Sequence, residues 1–509
     1  MTHRLPPAWL ETTFDELLRT IGGGTPATGR SEFWGDGVPW ITSADIDDAG
    51  NITPRKAVTP SGITSSATNP VPPGSVIVVT RVGLGKVGLA KQKLCFSQDC
   101  QALLFNPELF DPSFVAHQAR RIVRGIRGRG TTIAGVTVKQ LGALPFSLAP
   151  LPEQHRIVEA IDSYLTRLDD AVASLKRVQA KLKAYRASVL KVAVEGRLVP
   201  TEASLARAEK RAYEPAEALL ARILKERRRR WEEAELAKLK AAAKTPKDDK
   251  WKAKYEEPVA PDTSTLPELP EGWCWASLAQ LTTHITSGSR GWAEYYSKGG
   301  ATFVRAQDIK TDALAFDKIA HVSPPRGAEG ARTSVSQFDL LITITGANVT
   351  KAALVEDSLG EAYVSQHVGL CRPVLTQLAP YLHLFIVCPS GGRRVLEKAA
   401  YGAGKPGLNL DNLKELAVAL PAAAEAARVV EQCAVLLSVA ENLAETATHD
   451  LNSVRKLRQA VLKWAFDGRL VDQDPTDEPA DELLARIRAE RATSAPIKKS
   501  RARAAKGAA

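Results

Sequence analysis

Long apolar runs are missing from this 509-residue sequence. No stretch approaches the roughly 18 apolar residues of a membrane-spanning helix. The opening Met1-Thr-His-Arg-Leu-Pro-Pro-Ala-Trp9 lacks the apolar core of a secretory signal, so a cytoplasmic location is expected. Cysteine is scarce as well. Cys95, Cys100, Cys274, Cys371, Cys388 and Cys433 form no C-x-x-C pair and have no histidines at zinc-finger spacing, which argues against a disulfide framework and a zinc module and predicts reduced thiols. Enzyme signatures are absent too: there is no Walker A sequence, no H-E-x-x-H, and no recognisable nuclease or serine-hydrolase motif. Gly83-Leu-Gly-Lys-Val-Gly88 matches G-x-G-x-x-G, but no amphipathic helix follows it, as dinucleotide binding requires, and the equivalent loop Gly346-Ala-Asn-Val-Thr-Lys351 lacks the pattern. Asn69-Pro-Val-Pro72 lacks the aromatic with which an amino-methyltransferase stacks its target base, and reads as a turn. The metal, cofactor and catalytic slots are therefore expected to be empty.

What is present begins with charge. A formal net charge of +11 favours a polyanionic partner, nucleic acid before membrane. The length, at about 100 to 200 residues per domain, predicts three or four units.

The organising feature is a stretch that occurs twice. Ser188-Val-Leu-Lys-Val-Ala-Val-Glu-Gly-Arg-Leu-Val199 returns 272 residues later as Ala460-Val-Leu-Lys-Trp-Ala-Phe-Asp-Gly-Arg-Leu-Val471. Each copy closes a long helical pattern, with Gly196 or Gly468 placed to take the left-handed conformation beyond the last turn. Upstream, apolar or small residues recur at spacings of three and four. They are Ile161, Leu165, Leu168, Val172, Leu175, Leu182 and Val189 in one copy, and Cys433, Leu437, Ala440, Ala444, Ala447, Leu451, Val454 and Val461 in the other. Such seams predict coiled-coil helices, each about 66 Å long if it runs about 44 residues at 1.5 Å per residue. A lone helix would leave its stripe exposed to water, and the duplication makes the other copy the expected partner.

The repeat extends over nearly the whole chain. Leu5-Pro-Pro-Ala-Trp9 matches Leu269-Pro-Glu-Gly-Trp273, and Ser287-Gly-Ser-Arg290 replaces the turn Ile21-Gly-Gly-Gly-Thr-Pro26, so that the loop chemistry diverges on a kept frame. Strands are expected at 38–46, 75–81, 302–309 and 339–345. A short helix is expected at 113–124 in the first copy and at 379–400 in the second. Asp45-Ile46 agrees with Asp308-Ile309, and Ser97-Gln98 with Ser365-Gln366, whereas the loops between them differ. Glu214-Pro-Ala-Glu-Ala-Leu-Leu-Ala-Arg-Ile223 recurs as Glu478-Pro-Ala-Asp-Glu-Leu-Leu-Ala-Arg-Ile487. Between the copies, a charged run from Lys225 to Asp262 predicts an exposed helix passing into a Pro-rich linker, and Lys498 to Lys506 a basic disordered tail.

Acidic residues are missing from Pro112 to Pro152, where Arg120, Arg121, Arg124, Arg127, Arg129 and Lys139 stand unopposed. The second copy offers Arg393, Arg394, Lys398 and Lys405. Such clusters suit phosphate contacts, which position a protein on a duplex, or serve simply as a solvated face. Base reading requires mixed donors and acceptors: Arg for guanine, Asn or Gln for adenine. The candidates are Arg81, Lys86 and Gln98 in the first copy, and Arg290, Arg305, Gln307, Asn348, Gln366 and Asn409 in the second. Residues shared by both copies are expected to belong to the frame or to phosphate contacts.

This pattern resembles the DNA-specificity subunit of type I restriction-modification systems. The resemblance rests most on Leu151-Pro-Glu-Gln-His-Arg-Ile-Val158 with Glu195-Gly-Arg-Leu-Val199, and on Arg428-Val-Val430 with Asp467-Gly-Arg-Leu-Val471. At the second helix start, Ala422-Ala-Ala-Glu-Ala-Ala427 stands where the first copy has Pro-Glu-Gln-His. The resemblance implies an α+β chain with two α/β target-recognition domains, each followed by a long helix, the helices pairing as an antiparallel coiled coil. The expected segments are recognition domains at 1–150 and 266–420, spacer helices at 151–199 and 421–471, a short repeated helix and linker at 200–265, a short helix at 472–490 and the tail at 491–509. It further implies a non-enzymatic chain on double-stranded DNA, each domain reading half of a bipartite asymmetric site. Two modification subunits carrying S-adenosylmethionine would dock on the helices, and restriction subunits carrying ATP and Mg would join them; this chain would bind no cofactor itself. Two alternatives remain: a related methylation-based defence complex without a restriction subunit, and a coiled-coil scaffold that binds nucleic acid without regard to sequence.

Overall fold

The computed structural model describes residues 5–123, 135–243, 246, 248–325, 331–402 and 406–493. Of the tail expected at 491–509, residues 491–493 end the helix Ala480–Thr493 and the rest lies outside the described residues. The chain gathers into two compact units, Met1–Leu175 with Thr448–Ala509, and Lys176–Ala447. Among the described residues no helix is long and apolar enough to cross a membrane.

Both long helices are present, Leu151–Val194 and Ala423–Phe466, each of 44 residues. Every seam position named above is buried or half-buried, while most of the residues between them are exposed. The pairing is antiparallel. In the first unit Ile157 and Ile161, near the start of one helix, share a core with Val461, Ala465 and Phe466 at the end of the other. In the second unit Val189, Ala193 and Val194 share a core with Ala426, Val429 and Cys433. Gly196 and Gly468 end their helices with φ of +68° and +66°. A Cβ on Gly468 would lie 2.2 Å from Pro6 Cγ, and one on Gly196 would lie 2.6 Å from Pro270 Cγ. The repeated Gly of each helix end thus meets the repeated Pro of the other copy's opening. Gly468→Ala must bear the left-handed penalty of about 1–2 kcal/mol together with that clash, and thermal unfolding should show the loss in the first unit.

The two α/β modules share the strand order of their main sheet and a parallel strand pair beside it. In the first, a four-stranded antiparallel sheet runs Arg19–Gly22, Cys100–Leu104, Val76–Val79, Val87–Leu89, and Trp34–Ile41 pairs in parallel with Cys95–Phe96. In the second the order is Thr282–Ser287, Val368–Pro373, Leu340–Thr343, Ala352–Leu354, with Ala301–Val304 parallel to Ala362–Val364. The apolar runs Val76–Val79 and Leu340–Thr343 are buried throughout, as their unbroken hydrophobicity predicts. Three expected elements differ clearly in extent. The strands expected at 38–46 and 302–309 stop at Ile41 and Val304, because Thr42 with Asp45, and Arg305 with Asp308, cap the short turns Ser43–Asp45 and Ala306–Asp308. The single helix expected at 379–400 is two, Ala379–Val387 and Gly392–Ala399, broken at Cys388-Pro389, since a residue before proline avoids the helical region.

A buried carboxylate anchors each helix start. Trp9 Nε1 donates to Glu153 Oε2 at 2.9 Å, and Trp273 Nε1 donates to Glu425 Oε1 at 2.8 Å. Burial pushes both carboxyls above the usual range despite these hydrogen bonds. Arg156 pairs with Asp477, and Arg428 with Glu202, at 2.6 Å in each case. For Glu202, burial acts to raise the pKa but is outweighed by Arg428 and Arg211, which hold the group low.

Candidate nucleic-acid interface

Two backbone hydrogen bonds stitch three loop segments together in each unit. In the first, Val136 N–H donates to Thr80 O at 2.8 Å and Thr80 N–H donates to Asp99 O at 2.9 Å. In the second, Leu408 N–H donates to Ile344 O at 2.8 Å and Ile344 N–H donates to His367 O at 2.9 Å. These are matching atoms of the two copies. The loop after the buried strand, the turn that carries Ser-Gln, and the segment entering the last short helix therefore form one continuous surface on each unit. Strand order dictates this, since the buried strand lies beside the strand that follows the Ser-Gln turn.

The first surface carries Arg81 and Gln98, both exposed, half-buried Lys86, and exposed Lys139 on the short helix Val138–Gly142. Gln98 accepts a hydrogen bond from Thr25. Arg120 turns inward, donating to Val87 O at 3.1 Å, while Arg121 lies 3.5 Å from Asp467 and over the Phe466 ring. Arg124, Arg127 and Arg129 lie outside the described residues. Beside the parallel strand pair, Trp34 meets Trp40 edge-on with Lys56 over its ring.

On the second surface Gln307 and Gln366 are exposed and Arg305 is half-buried; all three line one cavity of about 320 Å³. Arg305 donates to Asp308 through Nε and Nη2 at 2.9 and 2.8 Å, an interaction that raises its pKa, and to Lys318 O at 2.9 Å. Asn348 donates to Ala306 O at 3.2 Å, and Asn409 caps the helix Leu410–Lys414. Arg393 is buried against Asp312, whereas Arg290, Arg394 and Lys398 are exposed. Lys405 lies outside the described residues.

The repeated acid is part of the frame in both copies. Asp308 holds Arg305, and Asp45 holds Arg55. For Asp45, burial acts to raise the pKa, and Arg55 and Thr42 together bring it below the usual range. The repeated serines sit alike as well: Ser97 N–H donates to Ile41 O and Ser365 N–H to Val304 O, both at 2.9 Å. Trp292, Tyr296 and His367, which line the same cavity as Gln307, went unnoticed in the sequence. They fall in the loops where the two copies diverge, so comparing the copies gives no signal for them. Among the described residues no cluster of His, Cys, Asp and Glu could hold a metal ion.

Comparison with known proteins accords with this architecture. Residues 6–184 match the family model of the type I restriction modification DNA specificity domain. The chain is 23% identical over 510 residues to the type I restriction enzyme EcoBI specificity subunit of Escherichia coli, covering 97% of this chain and 94% of that one. It is 22% identical over 529 residues to the StySPI specificity subunit of Salmonella potsdam, covering 98% and 99%. The crystal structure of the HsdS subunit from Thermoanaerobacter tengcongensis shares the fold, with a TM-score of 0.53 at 17% identity over 92% of this chain and 99% of that one. A chain from a study of complex assembly and conformational transition of the type I R-M system superposes with a TM-score of 0.63 at 16% identity, over 92% and 99%.

Proposed function

With the chain placed in the type I restriction-modification specificity family by its domain match and its full-length relatives, we propose that each unit reads one half of a bipartite, asymmetric DNA site. The observation that carries this reading is the pair of stitched surfaces. Their backbone hydrogen bonds are the same and both carry the repeated glutamine, Gln98 or Gln366, but around it one presents Arg81, Lys86 and Lys139 and the other Arg305, Gln307 and His367. A frame that is kept while its side chains change suits two different sequences, and a binder indifferent to sequence needs no such difference.

In this reading residues 1–150 and 266–420 are the recognition domains. Arg394, Lys398 and Lys139 contact phosphates, and Arg81, Lys86, Arg290 and the glutamines meet base edges. Arg120, Arg305, Asn348, Arg393 and Asn409 already have intramolecular partners and act by holding the surface in shape. The paired helices are the spacer: 44 residues correspond to about 66 Å, or about two turns of B-DNA at roughly 34 Å each. The helical region docks two modification subunits, which supply S-adenosylmethionine and methylate adenine, and restriction subunits join where the system has them. This chain contributes recognition and no chemical step.

The test is to co-express the chain with its modification subunit and map methylated adenines across genomic DNA. A bipartite asymmetric motif is expected, and exchanging residues 266–420 for those of a relative should change one half of it and leave the other half and the spacing alone. A stable complex that methylates without any motif would overturn the reading.

A further inference from the structure

The cavity of the second unit has features that reading a base edge in a groove does not require. Its wall is aromatic. Trp292 is buried and stacks on Phe303 with centroids 5.7 Å apart and planes 5° apart, and Tyr296 meets Phe303 edge-on at 5.5 Å while remaining 50% exposed. Its rim is polar and its donors and acceptors are set. With its carbonyl toward Arg305, Gln307 accepts from Nη1 at 3.1 Å, which leaves its amide N–H groups to donate into the cavity. Gln366 Nε2 lies 3.2 Å from His367 Nε2, and His367 Nδ1 lies 3.2 Å from Thr345 Oγ1. With the Gln366 amide donating to the ring, the imidazole proton sits on Nδ1 and is given to Thr345, so the Gln366 carbonyl is left as an acceptor. In addition, Ser365 lines the cavity, is 6% exposed, and its Oγ has no hydrogen-bond partner. A buried hydroxyl without a partner is costly unless something fills the site.

The first unit offers a contrast at the matching place. Ser97 Oγ accepts from Asp99 N–H at 3.4 Å, Gln98 is engaged by Thr25, and Trp40, which stands where Phe303 stands, donates its indole N–H to Gly24 O at 3.1 Å. The frame is shared, and in the second unit the corresponding groups are left open around a cavity.

We propose that this cavity takes one unstacked nucleobase, its face on Tyr296 and its edge between the Gln307 donor and the Gln366 acceptor, with Ser365 Oγ as a third contact. An exposed aromatic ring can stack on a base only when that base has left its neighbours, which is why the ligand is a displaced base and not a paired one. A volume of about 320 Å³ lies at the small end of ligand cavities and suits one planar ring system. The inference rests on the reading that this unit meets DNA, and it adds that the unit holds a base out of the stack.

The test uses the full-length chain and two labelled duplexes of the same sequence, one fully paired and one carrying a single extra adenine in the middle. Adenine is the probe because its N6 donor and N1 acceptor lie side by side, as the two glutamines require. The bulged duplex is expected to bind about tenfold more tightly, in line with one stacked base. Tyr296→Ala should remove that advantage and leave the paired duplex bound as before, whereas Gln307→Ala with Gln366→Ala should remove it and weaken the paired duplex as well. Equal affinity for the two duplexes, or an advantage that survives both substitutions, would overturn the inference while leaving the DNA reading intact. Failure to bind either duplex would defeat both.

Discussion

Trp273→Ala is expected to destabilise the second unit by about 3–5 kcal/mol, the range for truncating a large buried aromatic, and to leave the first unit's unfolding unchanged. Trp273 is 5% exposed, packs edge-on against Tyr381 and donates to Glu425. Its removal leaves a cavity, and it also strips one hydrogen bond from a carboxylate that burial already makes unfavourable to ionise. Glu425 Oε2 accepts the Glu202 N–H at 2.8 Å, so the loss should spread to the chain that follows the other helix. Calorimetry should show one transition lowered by roughly 10 °C and the other unmoved. The mirror variant Trp9→Ala should reverse the pattern, because Trp9 and Glu153 make the same contact in the first unit. A single transition that shifts equally in both variants would show that the two units do not melt separately.

Arg372→Ala should cost the second unit about 3–5 kcal/mol as well, by a different route. Arg372 donates twice to Asp339, through Nε at 2.8 Å and Nη2 at 2.7 Å, and Asp339 is 1% exposed. Without the guanidinium a buried carboxylate keeps only weaker partners, among them the Ser336 N–H at 2.7 Å. The two routes can be told apart. Asp339→Asn added to Arg372→Ala removes the stranded charge and retains an acceptor for Ser336, and it should recover most of the loss in denaturant titration. If the double variant is no more stable than the single one, packing of the arginine stem and not charge explains the effect. The first copy has Ser75 at the matching position, so no equivalent pair exists there.

The long helices, their phase and their left-handed glycine stops were legible because each depends on local rules applied twice, and a coincidence of phase at one offset is hard to mistake. The strands 76–79 and 340–343 were legible from their unbroken apolar runs. The anchor at the helix start was only half visible. The second copy reads as a run of alanines at 422–427, yet Glu425 and Arg428 occupy the places of Glu153 and Arg156; Glu425 makes the same tryptophan contact, and Arg428 likewise pairs with an acid, though not the equivalent one. Composition concealed the agreement that position reveals. The site residues divide in a similar way. Arg393 and Asn409 carry the right chemistry for DNA, but one lies buried against Asp312 and the other caps a helix. These outcomes depend on partners distant in sequence or on φ and ψ at a helix start, and residue type alone encodes neither.

The antiparallel helix pair also sets an order of events during synthesis. Residues 176–447 leave the ribosome as one uninterrupted stretch and hold every part of the second unit. The first unit begins earlier and is completed later. Phe114 lies 5.3 Å from Phe466, Ala480 N–H donates to Ala8 O at 3.0 Å, and Leu483 and Ile487 complete the core around Phe14. At the usual pace of translation the interval is on the order of tens of seconds. Throughout it the N-terminal module must hold an unfinished apolar face in water while a unit encoded after it is already whole. A chain cut short just before residue 466 is therefore expected to lack Phe466, Ala480, Leu483 and Ile487 from the core of its first unit while keeping every residue of its second.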